Sequence, residues 1–559
     1  MMFEKNIEYI TNETLKTKLK SMRIEESRIG LSFCMTPSND YLLMKNDVPI
    51  DDLNDPRKAV QEMFKKNIKS EMGPNDIIIT FGIGLCYLLD EVFNTYPSRI
   101  FVYEPDINIL HFVLNNVDIS EHLSSGRVYI TDNLDDLIKE LSSKYMTKDK
   151  VEVIYLQNYA VVKSQELLEL TQKVYETCKS KTVDINTITR YSKKWLYNSI
   201  NNIKEINTKD VYKLSDLEEK FINQTAIILA AGPSLNENIE KIKANREKFV
   251  VFAVNKVLRK VISEGIIPDF AVCVDAEYID NTLNGLEEYL DKISCITDLK
   301  SDNFIFSKNF RKIFVSFTET DQLVKKLLGY NNFIKTYESG GSATTMAFVA
   351  AVKMGFSKII FCGLDLAFKD SVVYSTGETV DRISENKIQV GNIVKDVTKI
   401  PSVKGDYVLT TDDYAAFVQH FEFLIKELEY SEVYNTTSFG AKIAGMKNSS
   451  FDDIILLGLS NTTALIVGDC NPFKLEIKEF AQEELVLINN IIMLISKNVF
   501  SPALVSSIVK STLMYQYMQS DILKVLQSKM DEGYADEFIS KAKLAIKDVI
   551  DLLQQNSMI

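Results

Sequence analysis

The sequence predicts an α/β protein made of two successive Rossmann-like units followed by a helical tail. Short apolar runs, each closed by glycine or a polar residue, recur between about 76 and 156 and again between about 225 and 362, with helix-like segments between most of them. That alternation is the pattern of parallel strands joined by crossover helices. From about Phe473 glycines almost vanish, and apolar residues recur at helical spacing to Leu553. A chain of 559 residues is also longer than one hydrophobic core serves. The expected organisation is an α/β domain over 1–165, a helical connector over 166–209, a central α/β domain over 210–455 and an all-helical domain over 456–559.

Composition narrows the partners. Apolar residues make up 46% and charged residues 25%, ordinary for a globular protein, and the net charge of -13 argues against nucleic acid. Seven cysteines are scattered without CxxC spacing, several inside apolar runs, and read as reduced buried thiols. With three histidines and no Cys/His cluster, no metal site is expected. The start, Met1-Met2-Phe3-Glu4-Lys5-Asn6, lacks an apolar signal core. The apolar run Leu485 to Ile495 contains Asn489 and Asn490 and falls short of the roughly 20 residues a span needs, so no membrane embedding is expected.

Residues 1 to about 70 are mixed and carry no legible chemistry. Asp76 to Phe81 then reads as a strand, Gly82-Ile83-Gly84 as a turn and Leu85 to Asn94 as a helix. Further strands are expected at Ile100–Tyr103, Arg127–Ile130 and Val153–Leu156. The two glycines with Glu104 some twenty residues on imitate a dinucleotide or methyl-donor site, but the third fingerprint position is Tyr87, which favours a purely structural turn. Residues 165 to 206 read as helical, with the single tryptophan, Trp195, packing inside the protein.

The central unit carries the chemistry. Strands are expected at Ala226–Leu229, Phe249–Val254, Phe270–Val274, Ile313–Phe317 and Ile359–Cys362. Four polar elements follow strands: Gly232-Pro233-Ser234, Asn255-Lys256, Asp275-Ala276-Glu277 and Gly363-Leu364-Asp365. In a parallel sheet all four reach one rim, where open α/β sheets bind ligands. Each alone is more often a helix cap; four together point to a site. A fifth element, Glu338-Ser339-Gly340-Gly341-Ser342-Ala343-Thr344-Thr345, opens an apolar helix whose free N–H groups suit a phosphate.

These motifs in this order resemble the motility-associated factor (Maf) flagellin glycosyltransferases. The resemblance is carried by Gly232-Pro233-Ser234-Leu235, Gly265-Ile266-Ile267-Pro268-Asp269-Phe270 before Asp275, Gly341-Ser342, and Gly363-Leu364-Asp365-Leu366-Ala367-Phe368 with Tyr374. Val403-Lys404-Gly405 leading to Thr410-Thr411, and Tyr434-Asn435-Thr436-Thr437 leading to Gly440-Ala441-Lys442-Ile443 and Gly445, continue it. More distantly, the central unit is similar to bacterial CMP-sialic acid sialyltransferases, which implies a sialyltransferase-type central domain. On that likeness Gly232, Pro233, Ser234 and Asn255 hold a nucleotide, Asp275 stands at a ribose position, and Ser342 and Gly363 line the donor site. Asp365 matches a Gly-Ile-Asp aspartate, and Tyr374 a tyrosine near the leaving phosphate. Three positions depart from that pattern: Ala231 replaces an asparagine of the turn, Phe368 a second tyrosine, and the catalytic histidine has no clear counterpart. His420 shares a helical stripe with Phe417, Phe421 and Leu424 and reads more readily as a core histidine. Glu338, Asp365, Asp412 and Asp413 are rival bases.

The resemblance implies transfer of a nonulosonic acid (legionaminic, pseudaminic or sialic type) from its CMP-activated form to Ser or Thr of flagellin, with no obligatory cofactor or metal. It also implies a cytoplasmic location, because flagellin must be modified before export. It leaves oligomeric state open, a homo-oligomer included. Two alternatives stand beside it: an ATP-dependent pterin diphosphokinase-like enzyme, and a non-enzymatic flagellin-binding assembly factor. The polar segment Asp381 to Asp406 is expected to be either a lid or acceptor-binding hairpin, or a surface loop.

Overall fold

A computed structural model describes residues 2–23, 25, 30–67, 71–147, 149–338, 341–368, 375, 381–384, 387–390, 393–457, 459, 470–496, 501–527, 532–556 and 558. It divides into two compact units, Met1–Ile185 and Asn186–Ile559. The boundary falls within one 45-residue helix, Ser164–Thr208.

In the first unit the helices Met2–Glu8, Glu13–Ser21 and Pro56–Asn67 and a small antiparallel sheet, β1 (Leu31–Met35), β2 (Tyr41–Lys45) and β3 (Val48–Pro49), precede the expected βα pattern. A four-stranded parallel sheet follows: β4 (Ile77–Phe81), β5 (Arg99–Tyr103), β6 (Val128–Thr131) and β7 (Val151–Tyr155), in the order β6-β5-β4-β7. The turn after β4 is packed by the chain itself. A Cβ on Gly82 would lie 2.6 Å from the Tyr159 ring, and one on Gly84 2.2 Å from the Asp51 carboxylate. Glu104 accepts hydrogen bonds from the Ile83 N–H (3.0 Å), the Asp106 N–H (3.0 Å) and the Tyr159 hydroxyl (2.5 Å). The acid at the position a ribose would use is therefore engaged in holding the turn.

Burial pushes Glu104 up to about 7, against the hydrogen bonds that pull it down, and pushes Asp51 up to about 7 in the same way. Unfolded carboxyls titrate near 4, so from about pH 4 to 7 the folded state keeps protons that the unfolded chain releases. The stability these groups contribute is fully present below that window and is lost as pH rises through 7, by at most on the order of 3 kcal/mol each. Calorimetric unfolding of the full chain should show the first unit weakening from pH 5.5 to 8, and Glu104→Gln should flatten that dependence. A first unit equally stable at both pH values would contradict the assignment.

The second unit is organised by a nine-stranded sheet in the order β20-β19-β14-β9-β10-β11-β12-β13-β8. Its strands are β8 (Tyr212–Lys213), β9 (Thr225–Leu229), β10 (Val250–Val254), β11 (Phe270–Val272), β12 (Ser294–Asp298), β13 (Lys312–Ser316), β14 (Lys358–Cys362), β19 (Val433–Asn435) and β20 (Lys447–Asn448). Every pairing is parallel. Side chains alternate between two cores, as the two-residue strand period requires. Ile227, Leu229, Val251, Ala253 and Ile360 enter one core, while Ala226, Ile228, Val250, Phe252 and Ile359 enter the other. The second core is closed by the helices Ala343–Lys353 and Asp412–Glu427. The first contains the final helical segments, including Phe480, Met518, Phe538 and Leu553.

The segment expected to be a lid or a loop is an antiparallel sheet, β15 (Asp381–Ser384), β16 (Lys387–Val390), β17 (Ile393–Pro401) and β18 (Tyr407–Thr411), in chain order. Among the described residues no helix is long and apolar enough to cross a membrane.

Candidate functional site

Strands β9 to β13 are laid down in sequence on one side of β9, and β14 then crosses to its other side. That reversal is a topological switch point, the place where open parallel sheets receive ligands beyond their carboxyl ends. The Gly232-Pro233-Ser234 turn after β9 and the Gly363-Leu364-Asp365 turn after β14 meet there. The Gly232 N–H donates to the Gly363 carbonyl at 2.8 Å, and the Ala230 N–H to the Cys362 carbonyl at 2.8 Å. A Cβ on Gly232 would stand 2.4 Å from Asp365 Oδ2, and one on Gly363 2.4 Å from the Ala230 carbonyl oxygen. Gly363 also sits at φ +83, in the left-handed region. Glycine is required at both positions by close approach.

Asp365 is 1% exposed and is the hub of this junction. Its Oδ1 accepts from the Ser234 hydroxyl and from the Thr437 hydroxyl, each at 2.5 Å, and its Oδ2 accepts from the Ser234 N–H at 2.9 Å. Burial raises the Asp365 carboxyl above its ordinary range, and these three donors pull it back. Thr437 closes the network from the loop after β19. The Tyr-Asn-Thr-Thr motif was visible in the sequence, but its link to Asp365, 72 residues away, was not.

On the next strands, Asn255 opens the helix Asn255–Ser263 and donates from Nδ2 to Asp275 Oδ2 at 2.7 Å. Asn255 is buried and Asp275 exposed, so the pair presents its carboxylate outward. Ser342 caps the helix Ala343–Lys353, accepting from the Thr345 N–H at 3.1 Å. This helix leads into the parallel strand β14, so it runs against the strands and its N-terminus lies at the same carboxyl rim. Glu338 precedes it, half-buried and raised by burial and by the charge of Glu319, with Lys300 and Lys325 opposing. Asp412 and Asp413 lie in the first turn of the helix Asp412–Glu427. Among the described residues no group of three or more His, Cys, Asp and Glu side chains stands where it could hold a metal ion.

One expected residue, His420, lies apart from this constellation. It sits midway along the helix Asp412–Glu427, which packs on β17 and β18. Its ring lies 5.9 Å from Phe423, and burial lowers its pKa. Tyr374 is outside the described residues, although Ser375 beside it is placed. The Ser375 N–H donates to the Ala231 carbonyl at 2.7 Å, and its carbonyl accepts from Lys260 Nζ at 3.0 Å and Asn236 Nδ2 at 3.1 Å. Lys260 was missed in the sequence because it reads as one more solvated lysine on a helix. Asn198 and Asn202 were missed for a similar reason. On the helix Ser164–Thr208 they donate to the carbonyls of Ala276, Leu299, Lys300 and Ser301, fixing the loops after β11 and β12. Trp195 stacks on Tyr191 at 6.0 Å, with Lys300 over its ring.

Comparison with known proteins places this rim in context. A family model described as 6-hydroxymethylpterin diphosphokinase MptE-like matches residues 197–371. An uncharacterized protein of Treponema pallidum (strain Nichols) is 30% identical over 132 residues, 23% of this chain, and the match spans 59% of that relative's length. A solved structure, that of a MAf glycosyltransferase from Magnetospirillum magneticum AMB-1, is similar to the whole chain. Its TM-score is 0.66 at 14% identity, covering 100% of this chain and 96% of that one. The resemblance recognised in the motifs thus extends to the fold over the full length, with its parallel α/β sheets and helical C-terminal region.

Proposed function

We propose that this chain is a glycosyltransferase that moves a nonulosonic acid from its CMP ester to a serine or threonine of flagellin in the cytoplasm, with no obligatory cofactor. What supports this above all is the switch point, where Asp365 locks the Gly-Pro-Ser turn beside the Asn255–Asp275 pair. The whole-chain likeness in fold to a MAf glycosyltransferase points the same way.

In this reading each residue has a task. Asn255 and Asp275 hold the ribose. Ser342 and the amides at its helix start take the phosphate, whose charge grows as the sugar leaves. The anomeric carbon is fully substituted, so departure of CMP gives an oxocarbenium-like transition state, and direct displacement inverts that centre. Asp365 is a positioning residue, since all its bonded oxygens face inward to Ser234 and Thr437. Glu338, raised by its surroundings, takes the acceptor hydroxyl's proton.

One observation favours a second reading. The MptE-like model over 197–371 raises an ATP-dependent diphosphokinase. A thermal-shift panel of CMP, UDP, GDP and ATP with Mg²⁺ separates the two. CMP at about a hundred times its dissociation constant should stabilise the protein by about 2.7 kcal/mol. Asn255→Ala should abolish that shift, while Glu338→Gln should keep it and lose transfer to flagellin, read by intact mass. A shift with ATP and Mg²⁺ and none with CMP would overturn the glycosyltransferase reading.

A further inference from the structure

Beyond Asp365, on the side away from Asn255, lies a cavity of 370 Å³ that the proposed transfer does not yet use. One wall is the turn 402–405, and the other is built largely by Asn435, Ala441, Lys442 and Asn448. The walls are fastened together. The Val403 N–H donates to the Gly440 carbonyl at 3.0 Å, and the Lys442 N–H to the Pro401 carbonyl at 2.9 Å. Gly405, at φ +89, and the Ser402 hydroxyl, which accepts from the Lys404 N–H at 3.0 Å, hold the turn tight. The floor is continuous with the switch point. The Ala441 N–H donates to the Asp365 carbonyl at 2.8 Å, and Asn435 Nδ2 to the Leu364 carbonyl at 2.9 Å.

Its charge is unlike that of the chain as a whole, which carries -13. Among the described residues, Lys404 and Lys442 line the cavity and no carboxylate does. Of the acids near by, Asp406 accepts from the Ser402 hydroxyl of the turn itself, and Glu422 from the Ala444 N–H at 2.8 Å. Neither lysine has a carboxylate partner among the described residues. A preformed cavity with two cations on its walls is chemistry for a carboxylate.

Position says whose carboxylate. The ribose candidates follow β10 and β11 and the phosphate candidate Ser342 opens the helix leading into β14, whereas the cavity lies past β14, at β19 and β20. A donor on the first group places its sugar over the switch point and leaves the cavity to the acceptor. We propose that the cavity takes an acidic side chain of the acceptor polypeptide, held by Lys404 and Lys442. The assignment to an acceptor rests on the transferase reading above.

The direct experiment is lysine footprinting of the full chain with a low dose of an acetylating reagent. The probes are the peptide acetyl-Asp-Ser-Asp-Thr-Glu-amide and its Asn/Gln counterpart, at millimolar concentration. The acidic peptide should slow acetylation of Lys404 and Lys442 at least three-fold while the neutral one leaves it unchanged. Equal reactivity with both peptides would overturn the proposal. In transfer assays the double variant Lys404→Gln/Lys442→Gln should raise KM for flagellin at least ten-fold with the CMP thermal shift intact, and an unchanged KM would also overturn it. If CMP fails to bind the native protein while the acidic peptide still protects both lysines, the donor reading fails and the carboxylate site stands.

Discussion

Asp365→Ala should lower the stability of the second unit by about 3–5 kcal/mol and remove CMP binding, as read by urea denaturation and thermal shift. The magnitude follows from what the substitution leaves behind. The Ser234 N–H and the hydroxyls of Ser234 and Thr437 would lose their acceptor where water does not reach, at about 1–3 kcal/mol for each donor left unsatisfied. Asp365→Asn tells position from charge. It keeps the volume and one acceptor oxygen but turns an amide toward a donor, so about half the loss is expected. An alanine variant with native stability and native CMP affinity would show that the junction does not depend on this carboxylate.

Gly363→Ala is expected to be nearly as damaging, by about 3 kcal/mol or more. Two costs combine: a side chain in the left-handed region, about 1 kcal/mol or more, and a methyl group 2.4 Å from the Ala230 carbonyl oxygen, which is backbone and cannot swing away. Relief requires β9 and β14 to part at the switch point, so nucleotide affinity should fall with stability. Gly126→Ala is the matched comparison: it too has positive φ, at +72, but nothing within 4 Å of the added carbon. It should show only the backbone part of the loss. Equal effects at the two positions would mean that close approach at the switch point is not what requires glycine.

Much of this arrangement was legible in the residues. The interior strands β9, β10 and β14 are apolar runs because both faces of a parallel sheet are covered. The same logic placed Asn255, Asp275 and Asp365 on one rim. β12 was invisible because its five residues, Ser-Cys-Ile-Thr-Asp, are mostly polar although every one is buried. Its polarity marks the rim end of the strand, where Asp298 accepts from the Thr318 hydroxyl at 2.7 Å. Strands β8, β19 and β20 run only two or three residues, too short for any periodicity to register. The Thr437 arm on Asp365 was hidden by sequence distance. The engagement of Glu104 and Asp51 with their own turn was hidden because a spacing motif records which residues are present and not what already fills the space between them.

The shared core of the second unit has a consequence for biosynthesis. Leu196 and Ile200 pack in the same cluster as Leu553 and Met558. At roughly 5–20 residues per second, a ribosome needs on the order of 20–70 s to make the intervening stretch. Throughout that interval one largely apolar face of the parallel sheet lacks its cover, the circumstance in which chaperones bind and nascent chains associate. A stop codon anywhere before the last helix would make that exposure permanent, so nonsense alleles late in the gene should yield aggregated or degraded protein rather than a shortened, working one.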